Sequence, residues 1–588
     1  MQLQTPRFVP TKLVHTLIPN RNTTSRRHLT FTISRATNHQ QSISEHVAEL
    51  NEQQNRAVFS NPFGTLQILA GPGTGKTRVM AVRTAKLIIE DGIPPELIFL
   101  VTFGRHPAQE LRVRLNSLIG PELTDRLQIG TIHRTCLRYI KNHMNPSVSL
   151  WDDVMCQQNI GHITKLHVPK KAPFWSIALN IQDAIARMKV YKGSSKSQPE
   201  LVYRSSRLDI DYHTFQRIIS DNQKTMKHSN ALDFDDLVNE CRELIEHKPS
   251  LVSRTRHILV DEFQDTNMAQ YKLIRSIARA SNSGITVVGD PDQAIFGWRF
   301  ADTANFQHMC VDFPHTRVIN LETNYRSTPS ILDFSHAIIA QDKSRPTRSL
   351  YSLKAHPVGP LPNLHKQPTI QDEANSIASY IHDLYQKCDG ALQYGDIAIL
   401  LRYNIWKLVY ADSLKQKGIP FQILPKSNFY AKNSVLDTLA YVFLAFSPQA
   451  TPWLLRILDN TNTIDSETVK NIQRHALTKE TTAVTIVRQM VDKNVYKINL
   501  KLWEQLQRLV GLLDYIREEG ENGTQPSLIL EYIIQHEFFR NQLKRRMRVG
   551  GFTFAEGRND LQSLVQAARR FEQSGVMKYS TMYASMAF

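Results

Sequence analysis

Residues 65–89, TLQILAGPGTGKTRVMAVRTAKLII, constrain the fold of this chain more than any other stretch. Leu66–Leu69 is a short apolar run of the kind that forms a strand buried on both faces. A loop of Ala70, Gly71, Pro72, Gly73, Thr74, Gly75, Lys76 and Thr77 follows, and then a helical pattern carrying Val79, Val82 and Leu87. Glycines at this spacing let successive backbone N–H groups point into one concavity, and the N-terminus of the next helix adds partial positive charge. The result is a phosphate cradle of the Walker A type in the strand–loop–helix context that the motif requires. Lys76 is placed to reach the β- and γ-phosphates of a nucleotide, and the Thr77 hydroxyl to ligand Mg²⁺.

Such a cradle needs a second carboxylate for the metal and the attacking water. RHILVDEFQDT, residues 256–266, supplies it: a strand at Ile258–Val260 ends in Asp261 and Glu262. Acids at the carboxyl end of a parallel strand lie where open α/β sheets bind ligands. Asp261 is assigned to Mg²⁺, and Glu262 to orienting and deprotonating water. A third strand, Ile285–Val288 in SGITVVGDPDQAIFGWRFA, leads through Gly289 and Asp290 to Gln293, which is placed to sense a γ-phosphate. Phe296, Trp298 and Arg299 come next. Aromatic residues interleaved with arginine stack on unpaired bases, and they also form ordinary core, so the pattern alone leaves both readings open.

The length of 588 residues suggests about four domains at roughly 150 residues each. Lys and Arg total 71 against 54 acids, and this formal charge of +17 suggests a polyanionic partner, nucleic acid before an anionic membrane surface. The excess is uneven. Residues 1–44 hold six Lys or Arg, twelve Ser or Thr and no acid, the composition of an organellar transit peptide, usually mitochondrial. The alternative is a basic disordered tail on a nuclear protein. No run reaches the roughly 18 apolar residues of a membrane-spanning helix. Cys136, Cys156, Cys241, Cys310 and Cys388 form no C-x-x-C pair, which excludes a disulfide scaffold and the common zinc and iron–sulfur patterns.

Taken in order, these motifs resemble those of the UvrD/Rep-like superfamily 1 DNA helicases from about residue 48 to 445, with weaker similarity to about 575. LNEQQNRAV (50–58) resembles the family's Q motif, which implies that Gln54 reads the adenine edge. An amide suits that task because it both donates and accepts. VTFGRHPAQELRVRL (101–115) resembles motif Ia, which implies that Phe103 packs against single-stranded bases. Gly104-Arg105-His106-Pro107 departs there from the family's usual Thr-Asn-Lys-Ala. IGTIHRTCLRYI (129–140) resembles motif Ib, which implies Thr131 and His133 near the DNA backbone. ALDFDDLV (231–238) reads as scaffold near DNA rather than as a metal site. LETNYRSTPSIL (321–332) resembles motif IV, implying that Tyr325 stacks on adenine and that Arg326 contacts the γ-phosphate with arginine-finger logic.

The resemblance implies an α/β chain of the P-loop NTPase fold, with two RecA-like parallel-sheet cores and helical insertion subdomains. It implies ATP and Mg²⁺ as cofactors and 3′→5′ movement on single-stranded DNA and single-strand/duplex junctions, in repair, recombination or replication. The expected domains are a basic tail at 1–45, a first core at 46–320 with a helical insertion at about 134–225, and the start of a second core at 321–445. A helical insertion at 446–556 and a return to the second core at 557–588 complete the order. Ile397–Leu401 is expected as a central strand of the second core. Five bases between Arg540 and Arg548 suit either phosphate contacts or a solvated face. Stretches resembling motifs V and VI are not found before Phe588, so the second core is expected to be incomplete. A nucleotide-gated single-strand binder that does not unwind is therefore the alternative function. A transporter-type ATPase is disfavoured because no L-S-G-G-Q-like signature is present.

Overall fold

The computed structural model describes residues 44–573 except 170–171, 344–347, 425–428, 460, 462–463, 493–495 and 549–552. The basic segment read as a transit peptide, but for its last residue, lies outside the described residues, as do 574–588. Two compact units are present, one of residues 1–135 and 245–359 and the other of 136–244 and 360–588.

The first unit is built on a six-stranded sheet: β1 (Thr65–Ala70), β2 (Ile98–Thr102), β3 (Gln128–Thr131), β4 (His257–Val260), β5 (Gly284–Gly289) and β6 (Arg317–Leu321). The order is β3-β2-β4-β5-β1-β6, and every neighbouring pair is parallel. Strands β2, β4 and β5 are buried at every position, as central strands covered on both faces must be, and so they read as continuous apolar runs. At the β6 edge only Ile319 and Leu321 turn inward. Helices α1 (Glu52–Val58), α2 (Lys76–Ile89) and α3 (Arg105–Arg126) share one core with the sheet, in which Val79, Val82 and Leu115 meet Ile68, Leu100 and Val288. Because all strands run one way, their carboxyl ends bring residues 70–77, 103, 131, 261–262, 290–293 and 322–326 to a single edge.

A polar network runs through this apolar unit. Arg83 of α2 is fully buried and donates to the carbonyls of Ala57, Val58, Ser60 and Asn61 and to Thr286 Oγ1 of β5. Burial, only partly offset by Asp91, lowers its pKa to about 10, which still leaves it charged at neutral pH. The same Thr286 hydroxyl lies 2.9 Å from His257 Nε2, and His257 Nδ1 lies 2.6 Å from the Pro62 carbonyl. A carbonyl only accepts, so Nδ1 carries the proton and Nε2 accepts from Thr286, which in turn accepts from Arg83. Gly284 makes room for this: a Cβ there would meet Pro62 O at 2.1 Å and His257 Nδ1 at 2.6 Å.

The second unit is helical among its described residues, apart from a two-residue bridge between Ser149–Leu150 and Ala231–Leu232. Helices Asp153–His167, Phe174–Val190 and Tyr212–His228 pack through Ile163, Ile181, Phe215 and Ile218. A larger core surrounds helix Asn433–Phe446 and joins Trp151, Met155 and Met226 to Leu454, Leu458 and Leu512. The two stretches read in the sequence as separate insertions thus share one core. The acids of ALDFDDLV close on a buried lysine: Lys189 Nζ lies 2.5 Å from Asp233 and 2.6 Å from Asp236. Desolvation followed by neighbouring acids pushes Asp235 up to about 7. The basic run Arg540–Arg548 is partly committed inward. Arg546 pairs with buried Asp437, which also holds buried Arg456 at 2.6 Å, and Arg545 bonds the Thr461 carbonyl.

Three sequence expectations change here. Ile397–Leu401 forms no strand; Ile397 and Ile399 pack against Ala378 and Ile381, while Leu400 is 92% exposed. Its continuous apolar run fits a buried strand, but a strand also needs a neighbour's backbone groups, and no described residue supplies them. Where a return to the second core is expected from 557, helix Phe554–Gln573 sends Leu561, Leu564 and Ala568 into the helical core. Residues 321–359 also fold with the first unit rather than with 360–445.

Burial and then the Arg83 charge hold His257 at about 3, below its ordinary 6.5. The folded state therefore keeps His257 neutral while the unfolded chain takes up a proton below pH 6.5. The stability this contributes is full above that pH and is lost as pH falls toward 3, at up to about 1.4 kcal/mol per unit. His257→Gln is expected to be less stable at pH 7 but to lose stability less steeply on acidification, as read by urea unfolding between pH 7 and 4.

Candidate nucleotide and nucleic-acid site

The glycine-rich loop lies between β1 and α2. Gly73 and Gly75 adopt φ of +69° and +86°, a region that side chains disfavour. Space is closed as well as conformation: a Cβ on Gly73 would meet Asn324 Nδ2 at 2.6 Å, and one on Gly75 would meet Gln54 Nε2 at 2.8 Å. Those two amides brace the loop. Gln54 donates to the Thr74 carbonyl at 2.9 Å, and its oxygen accepts the Asn51 N–H in a capping box at the start of α1. Asn324 donates to the Pro72 carbonyl at 2.6 Å, and its oxygen accepts the N–H groups of Arg326 and Ser327. Thr74 Oγ1 donates to the Gly71 carbonyl, and Lys76 Nζ rests 3.3 Å from the Ala70 carbonyl. Gln54, which the resemblance assigns to adenine, is only 2% exposed and here acts as a brace of the loop.

Asp261 and Glu262 leave β4 beside this loop. Asp261 is 5% exposed; burial and then the Glu262 charge push its carboxyl up to about 7, while Lys76 draws it down. Asp265 is raised to about 6 for the same reasons, and its Oδ1 is buried with no hydrogen-bond partner. Glu262 has φ +50°, a strained value for a side-chain-bearing residue, which turns its carboxylate out of the strand direction. A relay starts there. Gln264 Nε2 donates to Glu262 at 2.7 Å, Gln264 Oε1 accepts the Asp290 N–H at 2.9 Å, and Gln293 Nε2 donates to Asp290 Oδ2 at 2.7 Å. Across the loop, Tyr325 N–H donates to the Gly73 carbonyl at 2.9 Å and its hydroxyl accepts from Asn51 at 2.7 Å. The Tyr325 ring is 40% exposed, open to a planar group, and Arg326 is exposed beside it.

These residues fit a magnesium nucleotide. Among the described residues no group of three or more His, Cys, Asp or Glu could hold a metal by itself. Mg²⁺ bound with nucleotide needs only one or two protein oxygens, the rest being phosphates and water. The Thr77 hydroxyl and the Asp261 carboxylate are the candidates, and the orphaned Asp265 Oδ1 is an acceptor for a hydrating water.

The nucleic-acid candidates gather on the same edge. Phe103 and Phe296 have ring centroids 4.8 Å apart, and Phe296 and Trp298 lie 6.2 Å apart. Arg299 sits 4.6 Å over the Trp298 ring, which is 67% exposed. This removes the core reading for Trp298 and leaves an open aromatic platform. Thr131 ends β3 directly opposite Thr102, next to Phe103. Burial, then the Arg299 charge, lowers His133 to about 4, so it is a neutral ring at physiological pH. Asn324, Gln264, Asp290 and Arg348 also belong to the site, and sequence reading assigned none of them a role. Asn324, Gln264 and Asp290 stood inside quoted motifs, so position was the one available signal.

Asn324→Ala leaves the Pro72 carbonyl and two turn N–H groups without their partner. Nucleotide affinity is expected to fall about ten-fold, near 1.4 kcal/mol, by titration with a fluorescent ATP analogue.

Comparison with known proteins accounts for this geometry. A family model described as the UvrD/REP helicase N-terminal domain matches residues 50–314, and one described as the UvrD-like helicase C-terminal domain matches 319–583. The ATP-dependent DNA helicase srs2 of Schizosaccharomyces pombe is 31% identical over 434 residues, 71% of this chain and 48% of that protein. The ATP-dependent DNA helicase PcrA of Staphylococcus epidermidis is 27% identical over 541 residues, 88% of this chain and 69% of that protein. The ATP-dependent DNA helicase UvrD1 of Mycobacterium tuberculosis is 31% identical over 431 residues, covering 70% and 54% respectively. The chain thus spans about half to two thirds of the length of these relatives. With the two family models accounting in succession for the phosphate loop, the acidic strand end, the aromatic platform and the helical unit, the chain belongs to the UvrD/REP helicase family.

Proposed function

We propose that this chain is an ATP-dependent DNA translocase and helicase, moving 3′→5′ on single-stranded DNA and opening single-strand/duplex junctions. One observation carries the reading: Gln293 of the nucleotide site and Trp298 of the aromatic platform lie on two successive short 3-10 turns, Pro291–Gln293 and Gly297–Arg299, of the segment that follows β5. A change of phosphate state at Gln293 therefore has a short covalent route to a surface that stacks bases. Within the site, Lys76 and Arg326 offset charge on the transferring phosphoryl oxygens, and Glu262 orients and deprotonates water. Thr77 and Asp261 hold Mg²⁺, which supplies charge neutralisation at the β- and γ-phosphates when bound. Phe103, Phe296 and Trp298 stack on bases, with Arg299, Thr131 and His133 beside the strand.

A second reading is a nucleotide-gated single-strand binder that does not unwind. It is favoured by Ile397–Leu401, which pairs with no strand among the described residues. One experiment separates the two. ATP hydrolysis and separation of 3′-tailed and 5′-tailed duplexes are measured for wild type, Lys76→Ala and Glu262→Gln. Helicase function requires DNA-stimulated turnover and unwinding of the 3′-tailed duplex, with both variants reduced about 100-fold or more. Hydrolysis that is indifferent to DNA, without unwinding, sinks it; ATP-dependent DNA affinity without multiple turnover establishes the second reading.

We also propose mitochondrial import, with the nucleus as the alternative, on the acid-free, arginine-rich composition of residues 1–44. Fusing those residues to a fluorescent protein is expected to send it to mitochondria; diffuse or nuclear fluorescence excludes the proposal.

A further inference from the structure

We propose that Arg348 is a positioning residue for the hydrolytic step, acting through the Asp290–Gln293 turn. The proposal rests on the reading of the site as an ATPase, but it starts from a contact that no motif contains. Arg348 Nη2 lies 2.7 Å from Asp290 Oδ1 and 2.5 Å from Asp292 Oδ2. All three side chains are shielded, at 12%, 1% and 22% exposure. Two residues on, Leu350 lies against the phosphate loop: a Cβ on Gly71 would meet its Cδ1 at 2.8 Å. Tyr351–Ser352 then pairs with Thr323–Asn324, immediately before Tyr325 and Arg326. The segment that carries Arg348 therefore touches three parts of the nucleotide site.

Asp290 is the shared element. Its Oδ2 accepts the Gln293 amide, and its Oδ1 accepts Arg348 and the Asp292 N–H. Gln293 is thus held back on its own turn, away from a phosphate, by the carboxylate that Arg348 neutralises. When Gln293 turns to a γ-phosphate, Asp290 loses that donor while still buried. A buried carboxylate without a counter-charge is strongly unfavourable, whereas one that keeps a guanidinium is tolerated. Arg348 makes the release of Gln293 inexpensive and holds the turn in shape while it happens. Through Gln264, which bonds both the Asp290 N–H and Glu262, the same support reaches the residue that handles water.

There is also room for the movement. Arg348, Gln293, Asp290 and Leu350 line a cavity of about 280 Å³ together with Gly71 and Pro72 of the loop. Arg348 Nε is buried and has no hydrogen-bond partner among the described residues.

The test uses the full chain with Arg348→Ala, Arg348→Lys, Asp290→Asn and the double variant Arg348→Ala/Asp290→Asn. Three quantities are read: kcat with saturating single-stranded DNA, affinity for a fluorescent ATP analogue, and backbone hydrogen exchange across residues 289–296. Arg348→Ala is expected to lower kcat roughly ten-fold or more while changing nucleotide affinity less than about three-fold. Exchange in the 289–296 turn should quicken, and Arg348→Lys should fall between wild type and Arg348→Ala. Neutralising the carboxylate removes the need for its counter-charge, so the double variant should return to the level of Asp290→Asn alone. A simple packing role for Arg348 gives no such rescue, and its absence overturns the proposal. Unchanged kcat and exchange in Arg348→Ala overturn it as well. If the wild type hydrolyses no ATP, the ATPase reading fails and exchange alone decides: faster exchange rescued by Asp290→Asn upholds the positioning of the turn, and unaltered exchange refutes it. Should Arg348→Ala not fold, by circular dichroism, the lysine variant and its Asp290→Asn partner carry the same comparisons.

Discussion

Arg83 is the group on which the first unit is assembled. It is a charged side chain with no exposure in the middle of an α/β core, and such a group is tolerated only when every donor finds an acceptor. The acceptors come from three places at once: the end of α1, the loop after it, and β5. Its helix, α2, begins at the phosphate loop, and α1 carries Gln54, which braces that loop from the other side. The arginine thus fixes the spacing between the loop, its brace and the strand that leads to Gln293. His257 and Thr286 complete the arrangement by giving the hydrogen bonds one direction, with the imidazole neutral. The second unit repeats the device with Asp437, a buried carboxylate held between Arg456 and Arg546.

Around that frame the nucleotide site is organised as amides facing carboxylates and carbonyls. Gln54, Gln264 and Asn324 each bridge two or more backbone or side-chain groups, Gln293 bonds Asp290, and none carries a charge that must be removed from water. Neutral bridges of this kind exchange partners at a cost of about 1 kcal/mol each, which suits parts that rearrange when phosphate arrives or leaves. The charged members, Asp261, Glu262 and Lys76, stand at the end of the relay where chemistry on a phosphate needs them. The aromatic platform lies a few residues further along the same segment, on the next 3-10 turn. The two are therefore joined by one short, hydrogen-bonded segment of the chain.

Much of this was legible in the sequence because the signals are local. A glycine-rich loop between a strand and a helix, and acids or an amide at strand ends, define chemistry within a dozen residues. The structure brings the residues so chosen to one sheet edge, as parallel strands require. Other features were hidden because they join distant segments. Lys189 finds Asp233 and Asp236, and Arg348 finds Asp290, through contacts that no spacing announces. Local pattern also misled at Ile397–Leu401, where a continuous apolar run suited a strand that has no paired neighbour among the described residues, and the return to the second core implied from 557 is a helix, Phe554–Gln573, in a core drawn from two insertions.

By itself the sequence determined which groups are on offer: a glycine-rich loop between strand and helix, paired acids at one strand end, an amide after another, and aromatic residues next to arginine. These follow from residue type and short-range geometry, which the covalent chain already specifies. Tertiary structure alone decided which of those groups are free to act. It exposed Trp298 as a platform instead of burying it, turned Gln54 into a brace, and set Arg348 behind Gln293. Burial, counter-charge and hydrogen-bond partners are contributed by neighbours far away in sequence, and they exist only once the sheet and its helices have closed around the site.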